Sequence, residues 1–309
     1  MNIRGIIPAL VVVGVIFAIW TAAVIPMNAH LTADQAQRDG LVMTPEAPRD
    51  RQDFTGLTLA IKNPAIIPLT YTLTRPRLPS PHQVAIEMYE TIFTKAPTSR
   101  RSLVYHGWVT LSATLLGFVI GTTLGVLLAV GIVYNRTMDK SVMPWAITSQ
   151  TIPILALAPM IIVMLGAIGI QGLLPKSIIS AYLSFFPVVV GMVKGLRSPD
   201  GMQLDLLRTY SANANQGFWK LRLPASMPYL FASLKIGISA ALVGAIVGEL
   251  PTGARAGFGA RMLVGDQYGQ PMVTWAALFG AAITAALLVA ILSWIERRTL
   301  TRMGMGAMA

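Results

Sequence analysis

Apolar runs long enough to cross a bilayer recur along this chain, separated by short basic connections. A hydrocarbon core about 30 Å thick is crossed by roughly 20 apolar residues in a helix. The first such run, Ile6 to Ile25, ends near Pro26 and predicts an N-terminal transmembrane helix within residues 1–26. It is longer than a usual secretory h-region, with cleavage after the small residues Thr21-Ala22-Ala23 as the alternative reading. Residues 27–80 then turn polar and carry Pro45, Pro48, Pro64, Pro68, Pro76 and Pro79, which predicts an extended arm outside the membrane. Ser80-Pro81-His82-Gln83 supplies a helix start, with a serine cap, proline at the first helical position and glutamine at capping-box spacing. The amphipathic helix predicted within 81–106 places Ala85, Met88, Tyr89, Ile92 and Phe93 on one face, with Glu87, Glu90 and Lys95 off it. Such a helix fits a membrane surface and a helical bundle equally well.

Five more apolar runs lie near 107–134, 144–165, 175–194, 226–249 and 273–295, giving six expected spans and an all-α integral membrane fold. Gly117, Gly121 and Gly125 leave a groove without side chains in the second span, suited to close helix packing. In the third, Pro153 and Pro159 each remove a backbone donor, while Thr148, Ser149, Gln150 and Thr151 add polar groups. A kinked helix facing protein or water is expected there, where a pathway has room to run.

Composition agrees with this pattern. The 309 residues are 54% hydrophobic and 12% charged, with a mean hydropathy of +0.62, which excludes an ordinary soluble domain. The net charge of +11 forms no stripe interleaved with aromatics, so it reads as membrane topology and not as a nucleic-acid surface. Arg4, Arg136, Lys140, Lys194, Arg197, Arg208, Lys220, Arg222, Arg297, Arg298 and Arg302 share one set of connections, against Lys176, Arg255 and Arg261 on the other short ones. The positive-inside rule puts the first set, both termini and the 299–309 tail in the cytoplasm, and residues 27–106 on the outer, periplasmic side. With no cysteine, disulfides, thiolate metal sites and cysteine nucleophiles are excluded. His30, His82 and His106 have no metal-binding spacing, and no catalytic or metal-ligating residue is assigned.

Between the fourth and fifth spans lies a polar segment, 198–224, too elaborate for a simple loop. Ser198-Pro199-Asp200 offers a cap and a first-turn proline ahead of Met202 to Tyr210, and Ser211-Ala212-Asn213-Ala214-Asn215 offers a turn in which Asn tolerates left-handed angles. A second short helix, Gln216 to Leu221, closes at Arg222-Leu223-Pro224 and exposes Phe218 and Trp219. Two helices across one face with bulky apolar residues on show read as a docking element for another protein; an interfacial anchor in the headgroup layer is the alternative for Phe218, Trp219 and Leu221.

The stretch Asp205 to Pro224 resembles the EAA motif of ABC importer permeases, which marks the coupling helix seated in a cleft of the ATPase. The spacing from Asp205 through Ser211 to Leu223-Pro224 fits without a gap. Asp205 stands for the usual Glu, Leu206 and Leu207 for alanines and Ser211 for glycine, while Phe218, Leu221, Leu223 and Pro224 match. Leu78-Pro79-Ser80-Pro81, the Gly117/Gly121/Gly125 span, Pro153 to Pro159, Phe185-Phe186-Pro187 and Val247-Gly248-Glu249 are also arranged as in permeases of the nitrate, taurine and alkanesulfonate branch. The similarity covers roughly residues 75–300; the 27–75 arm is longer than usual. The resemblance implies a MetI-like permease core over 107–298 in the bacterial inner membrane, a homodimer, a cytoplasmic ABC ATPase that binds ATP in place of any cofactor in this chain, and a periplasmic or lipoprotein substrate-binding protein. The cargo it implies is a small polar or anionic organic solute. The chain contains no Walker A pattern, so it is expected to be a pathway subunit and not an enzyme.

Other candidates carry two readings each. Lys235, inside the fifth span, is expected to snorkel, pair, or face an aqueous cavity. Glu249 is expected to pair with Arg255 or Arg261 in an outer gate, or to sit in a solvated loop. Gln150, Thr151 and Ser239 offer hydrogen bonds to a polar solute or to neighbouring helices. A secondary transporter without an ATPase is the alternative function, but no repeat or central intramembrane carboxylate favours it.

Overall fold

The computed structural model describes residues 3–250 and 256–305, and every regular element among them is helical. In chain order these are α1 (Ile3–Arg38), α2 (Pro48–Gln52), α3 (Gly56–Lys62), α4 (Ile66–Leu69), α5 (Pro81–Tyr89), α6 (Leu103–Tyr134), α7 (Arg136–Ser149), α8 (Ile154–Ala167), α9 (Leu173–Leu196), α10 (Gly201–Thr209), α11 (Ala214–Gly217), α12 (Leu223–Val247), α13 (Phe258–Gln267) and α14 (Pro271–Arg302). Short π-helical turns follow α5 and α11. Five spans are long and apolar enough to cross a membrane, carried by α1, α6, α9, α11 through α12, and α14; the pair α7 and α8 makes a sixth if counted as one broken span. The chain divides into two compact units, residues 1–103 with 261–279, and residues 104–260 with 280–309.

In the first unit, α1 exposes Leu10, Val11, Val12, Val15, Ile16 and Ile19 along its apolar half, as a lipid-facing helix does. Sequence reasoning ends this helix near Pro26; it continues to Arg38. Ala29, Ala33 and Ala36 form a buried small-residue stripe packed with Met43, Leu59, Ala60 and Ile66, and that burial offsets the hydrogen bond Pro26 removes. The arm after α1 is therefore folded onto α1 and not extended. Gly56 seats α3 against α1, since a Cβ there would fall 1.9 Å from the Pro26 carbonyl oxygen. Buried Asn28 ties down the far end of the arm: its amide donates to the carbonyls of Thr70 (3.2 Å) and Leu78 (2.9 Å) and its oxygen accepts the N–H groups of Arg77 (2.9 Å) and Leu78 (3.1 Å). Arg51, also buried, pairs with Asp34 at 3.2 Å and donates to Gln37. The capping box at Ser80 forms, with the Ser80 N–H 3.0 Å from the Gln83 oxygen.

The second unit is built on close approach of α6, α9 and α12. A Cβ at Gly117, Gly121 or Gly125 would fall 2.6, 2.8 or 2.9 Å from the backbone oxygens of Ser177, Ala181 and Phe185, so α6 rests on the backbone of α9. On the other side of α9, Gly191 and Gly195 meet Ser233 and Ser226 of α12, and Gly244 of α12 meets the Ser180 backbone. The Ser180 hydroxyl donates across to the Ala241 carbonyl at 2.7 Å. Ala129, Ile132, Ala146, Phe185, Val189 and Met192 form the apolar core between α6, α7 and α9. The third predicted span is broken and not merely kinked: α7 and α8 meet at 97° across Gln150 to Pro153, while Pro159 is carried inside α8. Pro153, which has no N–H, serves as the N-cap of α8.

Gly121→Leu inserts a side chain where a backbone lies, and overpacking of this kind costs about 1–3 kcal/mol. We expect its melting temperature in detergent to fall below the wild type's, whereas Gly14→Leu, with open space around it, leaves melting unchanged; equal melting of all three proteins would contradict the packing.

Candidate functional site

The 198–224 segment folds as two short helices joined by a tight turn. The cap of α10 is Asp200 and not Ser198: its carboxylate accepts the Gln203 N–H at 2.8 Å, and Gln203 returns the bond. The reason is local, because a capping box needs a glutamine three residues on, which Asp200 has. Asp205 pairs with Arg208 at 2.9 Å on the exposed surface. Met202, Leu206 and Tyr210 follow at four-residue spacing, all strongly exposed, so α10 carries an apolar stripe open to its surroundings. Leu207, on the other side, is half-buried.

Ser211 has φ of 54°, so it, and not Asn213 or Asn215, supplies the left-handed residue of the turn. Asn213 instead caps α11, accepting the Gln216 N–H at 2.8 Å. The following turn, Phe218–Arg222, runs directly into α12, so the segment does not close at Leu223-Pro224; Pro224 lies in the first turn of α12, where a missing N–H costs nothing. Trp219 is 61% exposed, whereas Phe218 is half-buried with its ring 6.0 Å from that of Tyr134. Leu221 and Leu223 are half-buried as well. The Arg222 guanidinium donates to the Leu196 carbonyl at 2.8 Å, which fixes the segment to the end of α9. Sequence reasoning missed Met202 and Tyr210 as members of the exposed stripe, although their spacing from Leu206 was available.

A second constellation surrounds Glu249, two residues beyond the end of α12 and fully buried. Its carboxylate accepts the Thr110 hydroxyl at 2.9 and 3.0 Å and the Gly259 N–H at 3.0 Å, and lies 3.7 Å from Lys176. Lys176 also donates to the Ala256 carbonyl (2.9 Å), the Thr110 oxygen accepts the Phe258 N–H (2.8 Å) and His106 Nδ1 accepts the Gly257 N–H (3.0 Å). Gly257 has φ of +121°, and a Cβ there would lie 2.0 Å from the Glu249 carboxyl carbon. Lys176 pairs with Glu249, a partner the sequence pattern did not offer, while Arg255, one of the two arginines expected there, lies outside the described residues. Desolvation pushes the Glu249 carboxyl up to about 7, opposed by Lys176, the Gly259 N–H and the Thr110 hydroxyl.

Lys235 pairs with Glu296 of α14 at 2.8 Å, both partly buried, which neutralises a charge inside a span. Glu296 was missed because the last span was expected to stop at 295, while α14 continues to Arg302. The Ser239 hydroxyl is spent on the Lys235 carbonyl (3.1 Å) and that of Thr151 on the Thr148 carbonyl (2.7 Å), within their own helical turns. Gln150 differs: its side-chain nitrogen is buried at the break between α7 and α8 with no hydrogen-bond partner.

The family model described as binding-protein-dependent transport system inner membrane component matches residues 121–304. The chain is 31% identical over 185 residues to the formylaminopyrimidine transport permease protein of Halalkalibacterium halodurans, covering 59% of this chain and 68% of the relative. It is 29% identical over 220 residues to the riboflavin transport system permease protein of Chloroflexus aurantiacus, covering 71% and 78%. Among solved structures, a chain of the MetNI methionine ABC transporter in inward-facing conformations aligns at 25% identity over 65% of this chain and 95% of that one, with a TM-score of 0.48.

A carboxyl whose pKa rises on folding binds its proton more tightly in the folded chain, so its stabilising contribution is full below about pH 4.5, declines as pH climbs and is gone above about 7. The melting temperature of the wild type should therefore fall across that window by more than that of Glu249→Gln; parallel curves would contradict the assignment.

Proposed function

This chain belongs to the family of binding-protein-dependent transport system inner membrane components, and we propose that it forms the translocation pathway of an ATP-driven importer and docks its ATPase through α10 and the turn after α11. The membership makes it a multi-pass inner-membrane transport subunit, an ABC-type permease and not an enzyme. The observation that carries the docking assignment is the exposed stripe Met202, Leu206 and Tyr210, with Trp219 beside it. Four large apolar side chains, two on α10, one at its end and one in the turn after α11, fit a partner's cleft better than water. The segment is mechanically continuous with a span, because α11, the π turn and α12 form one uninterrupted run. A push on Trp219 is thereby delivered to α12 and, through Arg222, to the end of α9.

In this reading the docking face and both termini are cytoplasmic, a substrate-binding protein delivers solute on the opposite side, and two copies of the chain line the path. The break at Gln150 to Pro153 is the pathway element we favour, because the unpartnered Gln150 nitrogen is a buried donor awaiting an acceptor. The solute is a small polar or anionic organic compound. The two relatives serve a formylaminopyrimidine and riboflavin at nearly equal identity to this chain, which supports solute choice by a separate binding protein.

The test is co-purification in mild detergent. Wild-type chain should bring down a Walker-type ATPase, and Leu206→Ala, Tyr210→Ala and Trp219→Ala combined should reduce its recovery by roughly tenfold or more, with unchanged melting of the permease. Undiminished recovery would refute the docking face; absence of any ATPase even after cross-linking would favour a secondary transporter.

A further inference from the structure

The first unit contains a cleft of about 500 Å³ that the transport reading does not use. Its wall combines Arg75, Lys95, Arg101 and Arg261 with Glu87 and Glu90, and is completed by Thr91, Gln270 and the first residues of α14. Four cations face two carboxylates, so positive charge is in excess. Among the described residues none of these cations forms a close ion pair with either carboxylate. Burial raises the Glu87 carboxyl and lowers Arg261, which is the signature of charges withdrawn from water without full compensation.

Two features fix the depth of this cleft. Pro271, Met272 and Val273 in its wall open the spanning helix α14, and Arg101 lies two residues before the span that starts at Leu103. Both helices have 32 residues, longer than the roughly 20 that cross the hydrocarbon, so their first turns suit the headgroup layer and the cleft beside them with it. The helix that supplies Glu87, Glu90 and Thr91 also exposes Ile86, Tyr89 and Phe93, the last at 73%. These residues fall on one side of the helix at i, i+3 and i+7, beside the edge that borders the cleft.

We propose that this cleft binds the phosphate of a membrane glycerophospholipid, with the acyl chains lying along Ile86, Tyr89 and Phe93. Arginines suit a phosphate diester because the guanidinium donates in pairs to its oxygens. The two carboxylates offset part of the charge of the four cations and leave a positive excess for an anionic head. A free phosphate shares the head chemistry but gains nothing from the apolar face, whereas a lipid uses both.

Native mass spectrometry of the full chain in detergent, titrated with phosphatidylglycerol, tests this directly. One tightly retained lipid per chain is expected, displaced by less than half when inorganic phosphate is added in large excess. Arg75→Gln with Arg101→Gln, both at exposed positions, should weaken retention by about fivefold or more, and Tyr89→Ser with Phe93→Ser should weaken it without altering phosphate binding. Wild-type chain that retains no lipid, retains it equally after the arginine exchange, or loses it to phosphate would overturn the proposal, and the wild-type titration and competition decide this even if a variant fails to fold.

Discussion

The second unit depends on backbone-to-backbone contact between α6, α9 and α12, which only glycine and serine permit. Lipid tails are as apolar as leucine, so burial of apolar area does little to hold spanning helices together, and close packing with short polar links takes its place. Gly117, Gly121 and Gly125 bring α6 down onto α9, and Gly191, Gly195 and Gly244 do the same between α9 and α12. The serines in these contacts spend their hydroxyls on helix carbonyls, as Ser180 does on Ala241, Ser226 on Leu223 and Ser233 on Leu230.

Two polar constellations lie at the ends of this tripod. At one end Thr110 of α6, Lys176 of α9 and Glu249 after α12 converge on a single buried carboxylate, and the glycine-rich segment 256–259 closes over it with its N–H groups. At the other end Arg222 joins α12 to the carbonyl end of α9, and α10 is held nearby with its apolar stripe outward. Direct helix-on-helix packing of α6, α9 and α12 runs between these two ends.

Much of this was legible in the sequence, and the failures have physical causes. Apolar run length found the spans, and the four-residue glycine spacing found the α6 seam, because both are periodic signals that survive without knowledge of neighbours. Pro26 misled, since a proline ends a helix only when no tertiary face supports its continuation, and the Ala29, Ala33 and Ala36 stripe provides one. Glu249 was placed with the nearest arginines in the chain; its partner Lys176 lies 73 positions away on another helix, a pairing that no local pattern encodes. Asp200 and Ser211 show the finer limit: which of several adjacent residues caps a helix or turns left-handed is set by one hydrogen bond. The 27–80 arm was read as extended because its prolines are frequent, yet buried Asn28 and Arg51 gather it onto α1.

The claim that α10 meets an ATPase is open to one direct measurement, which the natural absence of cysteine makes clean. Tyr210→Cys and Tyr268→Cys place a single thiol at two strongly exposed sites, one in the proposed docking segment and one outside that segment. Native membranes would be treated with a short bifunctional thiol-to-amine reagent and the adducts identified by mass spectrometry. The account predicts an adduct containing a Walker-type ATPase from Tyr210→Cys and none from Tyr268→Cys. The ATPase attached to Tyr268→Cys, or to neither protein while the complex is intact, would contradict it.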